Sequence, residues 1–207
     1  MAERTRACTA CHGEQGRAGP DGYYPRLAGK PAGYLYNQLQ NFQQGRRQYG
    51  LMQGLIDPLS PEYLRAMAVH FSELQLPYPA PAPASVSAAV LATGKTLVLE
   101  GDARRGLPAC VSCHGNALTG VQPFTPGLLG LPRDYLNAQL GGWQTGQRKA
   151  HVPDCMAAIA KRLSDADVNA ISQWLASQPV PARGSAVAMR PLRPPGAAPL
   201  PECGSAP

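Results

Sequence analysis

Apolar residues recur at helical spacing in two well-separated stretches of the chain. Leu35, Leu39 and Phe42 fall at i, i+4 and i+7, and Leu136, Leu140 and Trp143 repeat the same stripe. Each stripe predicts an amphipathic helix with one face turned inward. A second pair of stripes follows: Leu64, Met67, Ala68 and Phe71, then Val168, Ile171, Trp174 and Leu175. Both open on helix-start chemistry, Ser60-Pro61-Glu62 and Ser164-Asp165-Ala166-Asp167, in which a hydroxyl caps free N–H groups and proline or acids occupy the first turn. A further helix is predicted over residues 86–100. No strand-like alternation stands out, so the pattern predicts an all-α chain with long loops.

The stripes belong to an internal duplication. Pro25-Arg26-Leu27-Ala28-Gly29 answers Pro126-Gly127-Leu128-Leu129-Gly130, Tyr34-Leu35 answers Tyr135-Leu136, Gln38-Leu39 answers Gln139-Leu140, and Gly45 answers Gly146. The organisation expected is a first domain over residues 1–76 and a second over 86–178. Between them, 77–85 alternates proline with small residues and reads as an extended linker. The proline-rich tail from 179 to 207 lacks apolar periodicity and is expected to be extended or disordered. Only seven residues precede Cys8, so the first domain's counterpart of the 86–100 helix must be short or missing.

Composition changes this picture in one respect. Domains of this size bury a modest core, and three Phe and two Trp supply little bulk, so an apolar cofactor in each lobe would provide much of the interior. The cofactor-free chain is therefore expected to be largely unfolded. The formal charge of +6 is spread along the chain without a dense Lys/Arg run, which gives no reason to expect a nucleic-acid partner. No apolar run approaches the ~20 residues of a membrane helix.

The candidate chemistry lies ahead of the first stripe in each repeat. Cys8-Thr9-Ala10-Cys11-His12 returns as Cys110-Val111-Ser112-Cys113-His114. CxxCH is the attachment signature of haem c: two thiols add to the porphyrin vinyl groups, and the adjacent imidazole reaches the iron. Paired CxxC motifs also build zinc ribbons. The repeat register separates the two, because Met52 and Met156 each stand eight residues before Ser60 and Ser164. A zinc site predicts neither methionine, whereas a haem with His on one face takes a thioether on the other. Two covalently bound haems are expected. Haem c is attached outside the bacterial cytoplasmic membrane, and no apolar signal segment precedes Cys8. The expectation is a periplasmic protein whose signal peptide has been removed, or a misassigned chain start.

Over about residues 5–178 the sequence resembles the dihaem cytochrome c4 family, tandem class I cytochrome c domains. The resemblance rests on CTACHG, YPRLAGKPAGYLYNQLQNF and GLMQGLIDPLSPEYLRAMAVHF in the first repeat. In the second it rests on GLPACVSCHG, LPRDYLNAQL and CMAAIAKRLSDADVNAISQWLASQ. It implies His12 with Met52 and His114 with Met156 as axial ligands, and the carbonyls of Pro25 and Pro126 as acceptors for the proximal imidazole N–H groups. It also implies lobes whose haem edges face each other, and a soluble carrier working between a respiratory or dehydrogenase donor and an acceptor such as a terminal oxidase. Contact with a membrane complex would be peripheral, and no catalytic residue is implied.

Cys155 and Cys203 depart from that pattern. Separate thiols are expected, one buried and one exposed, with a disulfide between them as the alternative. Cys155 as a thiolate ligand, as in dihaem thiosulfate dehydrogenases, is disfavoured because Met156 holds the register. The spare imidazoles His70 and His151, together with Met67 and Met189, are weaker ligand candidates. Three functions follow: a free electron carrier, a dihaem enzyme with a labile iron site, and a fixed electron-transfer subunit docked through the proline-rich tail.

Overall fold

The computed structural model describes residues 1–19, 22–182, 184–188 and 196–206; Met189 lies outside them. Nine α-helices among the described residues carry the fold: α1 (Arg6–His12), α2 (Ala32–Gln43), α3 (Gly50–Ile56), α4 (Pro61–Glu73), α5 (Ala88–Leu99), α6 (Val111–His114), α7 (Arg133–Thr145), α8 (Cys155–Ala160) and α9 (Asp165–Ala176). The chain is all-α apart from one two-stranded antiparallel ladder, β1 (Gly120–Val121) with β2 (Thr125–Pro126). Two-residue strands are too short to leave an alternating signature, which is why the sequence pattern does not announce them.

The apolar stripes form the core. In the first lobe α2 packs on α4, and Leu64, Met67, Ala68 and Phe71 are buried. In the second, α9 packs against both α5 and α7, and Leu97, Val98, Leu136, Ile171 and Leu175 share one cluster. The start signals act as read. The Ser60 hydroxyl accepts from the Tyr63 N–H, and Ser164 with Asp167 completes a reciprocal capping box. Helix α5 crosses α9 closely at Gly94, where a Cβ would lie 2.1 Å from the Ala170 carbonyl oxygen. The first lobe replaces α5 with a single 3-10 turn, Glu3–Thr5, so the lobes are unequal.

The linker is anchored. Buried Arg26 donates to the carbonyls of Leu76 at 2.5 Å and Pro77 at 3.1 Å, and its guanidinium lies 3.9 Å from the centre of the Tyr78 ring. The tail, expected to be extended or disordered, is fastened in its described stretches. Val187 exchanges backbone hydrogen bonds with Gly120 and Gln122, the Gly204 N–H donates to Pro153, and Asn37 donates to the Ser205 carbonyl.

The expectation of separate thiols is overturned, because Cys155 and Cys203 form a disulfide with sulfurs 2.02 Å apart. The pairing joins residues 48 apart and depends on how the tail folds back, which no local pattern encodes. A thiolate ligand role for Cys155 goes with it.

The lobes meet along a seam of repeat-related residues. The Tyr34 N–H donates to the Pro123 carbonyl at 3.1 Å, the Lys149 N–H donates to Arg46 at 2.8 Å, and Arg47 faces Arg148 in an antiparallel bridge.

Candidate functional site

Both CxxCH motifs lie on short helices that stop at the same place. Helix α1 carries Cys8, Cys11 and His12, while Cys110 caps α6, which carries Cys113 and His114. Gly13 (φ 74°) and Gly115 (φ 87°) end these helices immediately after the histidines in a region that favours glycine. The four cysteines take no part in a disulfide. Burial raises the thiol of Cys8 and pushes that of Cys110 up to about 12.

The two imidazoles are held alike. His12 and His114 are buried, and Nδ1 of each lies at hydrogen-bond distance from a proline carbonyl, Pro25 at 2.8 Å and Pro126 at 2.7 Å. A carbonyl only accepts, so each Nδ1 carries the proton and each Nε2 keeps its lone pair for a metal. Burial lowers the proton affinity of both rings. The proline carbonyls oppose that, and the charge of Arg47 on His12 and of Lys30 on His114 adds to it. A neutral imidazole is the form that ligates iron.

Met52, on α3, is half-buried and packs with Cys8 on the cluster of Ile56, Leu64 and Met67. Met156 is the second residue of α8, a helix packed against α7, and is half-buried. Met67 is a core residue at 4% exposure, and His70 stacks edge-on to Phe71. His151 faces Arg46, whose Nη2 lies 3.1 Å from its Nε2. Among the described residues no group of three or more His, Cys, Asp and Glu side chains converges as a metal site, so the two CxxC pairs do not combine as a zinc ribbon would require.

Beyond the motifs, Tyr24 packs edge-on to His12 with centroids 5.9 Å apart and shares a 3.0 Å hydroxyl contact with Tyr49. Tyr23 stacks on Tyr24 at 4.9 Å. In the second repeat Thr125 precedes Pro126 where Tyr24 precedes Pro25, so this aromatic group marks the first lobe alone. The duplication holds the clue to it only as a mismatch between the repeats. In the second lobe the buried Trp143 Nε1 and Asn137 Oδ1 have no protein partner. Orphaned polar atoms in a lobe that also holds a buried imidazole with a free Nε2 fit a lobe built to enclose a polar-edged cofactor such as haem.

Residues 4–72 match the family described as cytochrome c. The thiosulfate dehydrogenase electron acceptor of Thiomonas intermedia is 41% identical over 182 residues, which cover 88% of this chain and 83% of that one. Cytochrome c4 of Pseudomonas aeruginosa is 31% identical over 174 residues, with 83% and 84% covered. Among solved structures, a thiosulfate dehydrogenase from Marichromatium purpuratum superposes with a TM-score of 0.76 at 33% identity. The match covers 88% of this chain but 40% of that one, so this chain spans less than half of it.

Proposed function

Because the chain belongs to the dihaem, cytochrome c4-like family of the cytochromes c, an electron-carrying family with covalently bound haem c, we propose that its electrons come from a thiosulfate-oxidising dehydrogenase. Residues 1–76 and 86–178 would each hold one haem, and the periplasm would be the place of work. No helix among the described residues is long and apolar enough to cross a membrane, which accords with a carrier that meets its partners at their surfaces.

Cys8 and Cys11 would hold one porphyrin through thioether links, and Cys110 and Cys113 the other. His12 and His114 would each offer Nε2 from one side, with Met52 and Met156 offering sulfur from the other. The observation that supports this most is the repeated Nδ1 contact, His12 with Pro25 and His114 with Pro126, which sets tautomer and ring orientation together. Haem c supplies a one-electron couple exchanged at the ring edge.

A haem held by both an imidazole and a thioether of this chain would keep no open coordination position for a substrate, so the chain would act as a carrier. Thioether ligation favours the reduced form and places the sites at higher potential than two imidazoles would. The disulfide of Cys155 supports the same reading, because it takes that sulfur out of contention as a ligand.

The test is a reconstitution. Oxidised protein mixed with a catalytic amount of a thiosulfate dehydrogenase should stay oxidised until thiosulfate is added, then become reduced at both haems. Continued oxidation, with the dehydrogenase active towards an artificial acceptor, would remove thiosulfate oxidation as the electron source.

A further inference from the structure

Helix α3 carries Met52, the proposed ligand of the first haem, and little in its own sequence holds it together. It has seven residues, Gly50 and Gly54 stand in it with nothing within 4 Å of where a Cβ would lie, and no side chain caps its N-terminal end. Short helices that contain glycine are marginal on their own. Leu51 and Leu55 are 64% and 47% exposed, so the inward side is left to Met52, Gln53 and Ile56.

The C-terminal end is tied down from α2, where the Gln43 side chain donates to the carbonyls of Ile56 at 2.8 Å and Leu59 at 3.0 Å. At the N-terminal end the tie is made by Tyr49, the residue immediately before the helix. Its hydroxyl lies 3.0 Å from that of Tyr24, and the Tyr23 ring packs edge-on to it with centres 6.3 Å apart.

Tyr24 reaches the histidine side of the site. Its ring meets His12 edge-on at 5.9 Å, and its backbone leads into Pro25, whose carbonyl lies 2.8 Å from His12 Nδ1. The hydroxyl pair therefore joins the loop that orients the imidazole to the start of the helix that brings the thioether.

The second lobe meets the same need by other means. In its register Thr125 stands for Tyr24, Pro153 for Tyr49 and Asp154 for Gly50. Asp154 caps α8, accepting from the Ala157 N–H at 3.0 Å, and holds the preceding loop through the Ala150 N–H at 2.7 Å. Cys155, the counterpart of Leu51, is fastened to Cys203. Gln144 repeats the C-terminal tie on the Leu163 carbonyl at 2.9 Å. That tie is common to both lobes, and the first has a phenol pair where the second has a cap and a covalent bond.

We propose that Tyr24 and Tyr49 are positioning residues for Met52: their hydroxyl hydrogen bond latches the N-terminal end of α3 and so sets how often the thioether leaves the first iron. This rests on the reading of Met52 as a ligand above. One neutral hydrogen bond contributes enough to change an opening equilibrium by about two- to tenfold.

The test is ligand exchange in the doubly loaded ferric protein. Cyanide in excess takes the methionine's place only after the sulfur has left, so the saturating rate reports opening, followed as loss of the far-red band of methionine-ligated haem. The phase missing in Met52→His belongs to the first haem. Tyr24→Phe and Tyr49→Phe keep the rings and remove only the hydroxyls. Each should raise the first haem's saturating rate by about two- to tenfold and leave the second haem's unchanged. The double variant should exchange no faster than Tyr49→Phe, because both changes break the same bond. If one single variant does not load, the other is held to the same criterion. Unchanged rates, equal acceleration at both haems, or a double variant in which the two accelerations multiply overturns the latch. Loss of haem loading in both singles overturns it too, since the latch acts on a helix already in place. A wild-type first haem without the methionine band fails the ligand reading beneath it instead.

Discussion

Cys203 is joined to Cys155, the residue immediately before Met156. The tail is thus fixed to the start of α8, beside the proposed ligand, and its Ser205 carbonyl accepts from Asn37 on α2 of the other lobe. One covalent bond and one hydrogen bond strap the seam. Closing a loop with residues 48 apart limits the unfolded chain, an effect worth about 2–4 kcal/mol. Cys203→Ser should lower the unfolding temperature of the haem-loaded ferric protein accordingly, as followed by calorimetry. Coincident melts would show that the tail is held without the bond.

Met52→His and Met156→His each exchange a thioether for an imidazole, a ligand that favours ferric iron. Each variant should retain two haems and lower the potential of its own lobe alone. Potentiometry with optical detection reads this. An unchanged second haem in Met156→His would remove Met156 from the site.

Glycines separate close packing from open surface. Gly94→Ala drives a methyl group into the Ala170 carbonyl where α5 crosses α9, and should cost about 1–3 kcal/mol or more. Gly54→Ala, at an exposed position of α3, meets nothing within 4 Å and should be neutral or stabilising by up to about 1 kcal/mol. Denaturant unfolding of both variants compares them, and equal effects would contradict the α5–α9 contact.

Arg105 joins Asp102 and Asp167, each at 2.7 Å, and so ties the loop before α6 to α9. Burial raises the Asp167 carboxyl, but Arg105 and the Ser164 N–H and hydroxyl outweigh it and hold the group below its ordinary value. A carboxyl lowered in the folded state contributes stability above about pH 3.9, lost as pH falls through the folded value. Asp167→Ala removes both this pair and the capping box, and should cost about 1–2 kcal/mol at neutral pH. Its deficit relative to wild type should shrink in strong acid. A constant deficit down to about pH 2 would exclude the carboxylate as its source.

What the sequence disclosed and what it hid follow from the range of each interaction. Helices α2, α4, α7 and α9 were legible because Leu35, Leu64, Leu136 and Val168 begin stripes at helical period and Ser60 and Ser164 cap them. The site motifs were legible because attachment needs thiols and imidazole within five residues. The Cys155–Cys203 bond was not, since its partners meet only after the tail folds back. Nor was the seam: Lys30, Arg47 and Arg148 look like ordinary surface cations until the other lobe covers them. The aromatic group around Tyr24 and Tyr49 likewise joins loops that no period connects.

The account's central claim is two methionine-ligated haems of one protein, each closed to substrate. It is tested most directly by the weak far-red absorption band of methionine-ligated ferric haem, measured on oxidised protein against its chemically counted haem. The account predicts a band intensity matching both haems, lost by half in Met52→His and by half in Met156→His. A band matching one haem, or none, in the wild-type protein would contradict it.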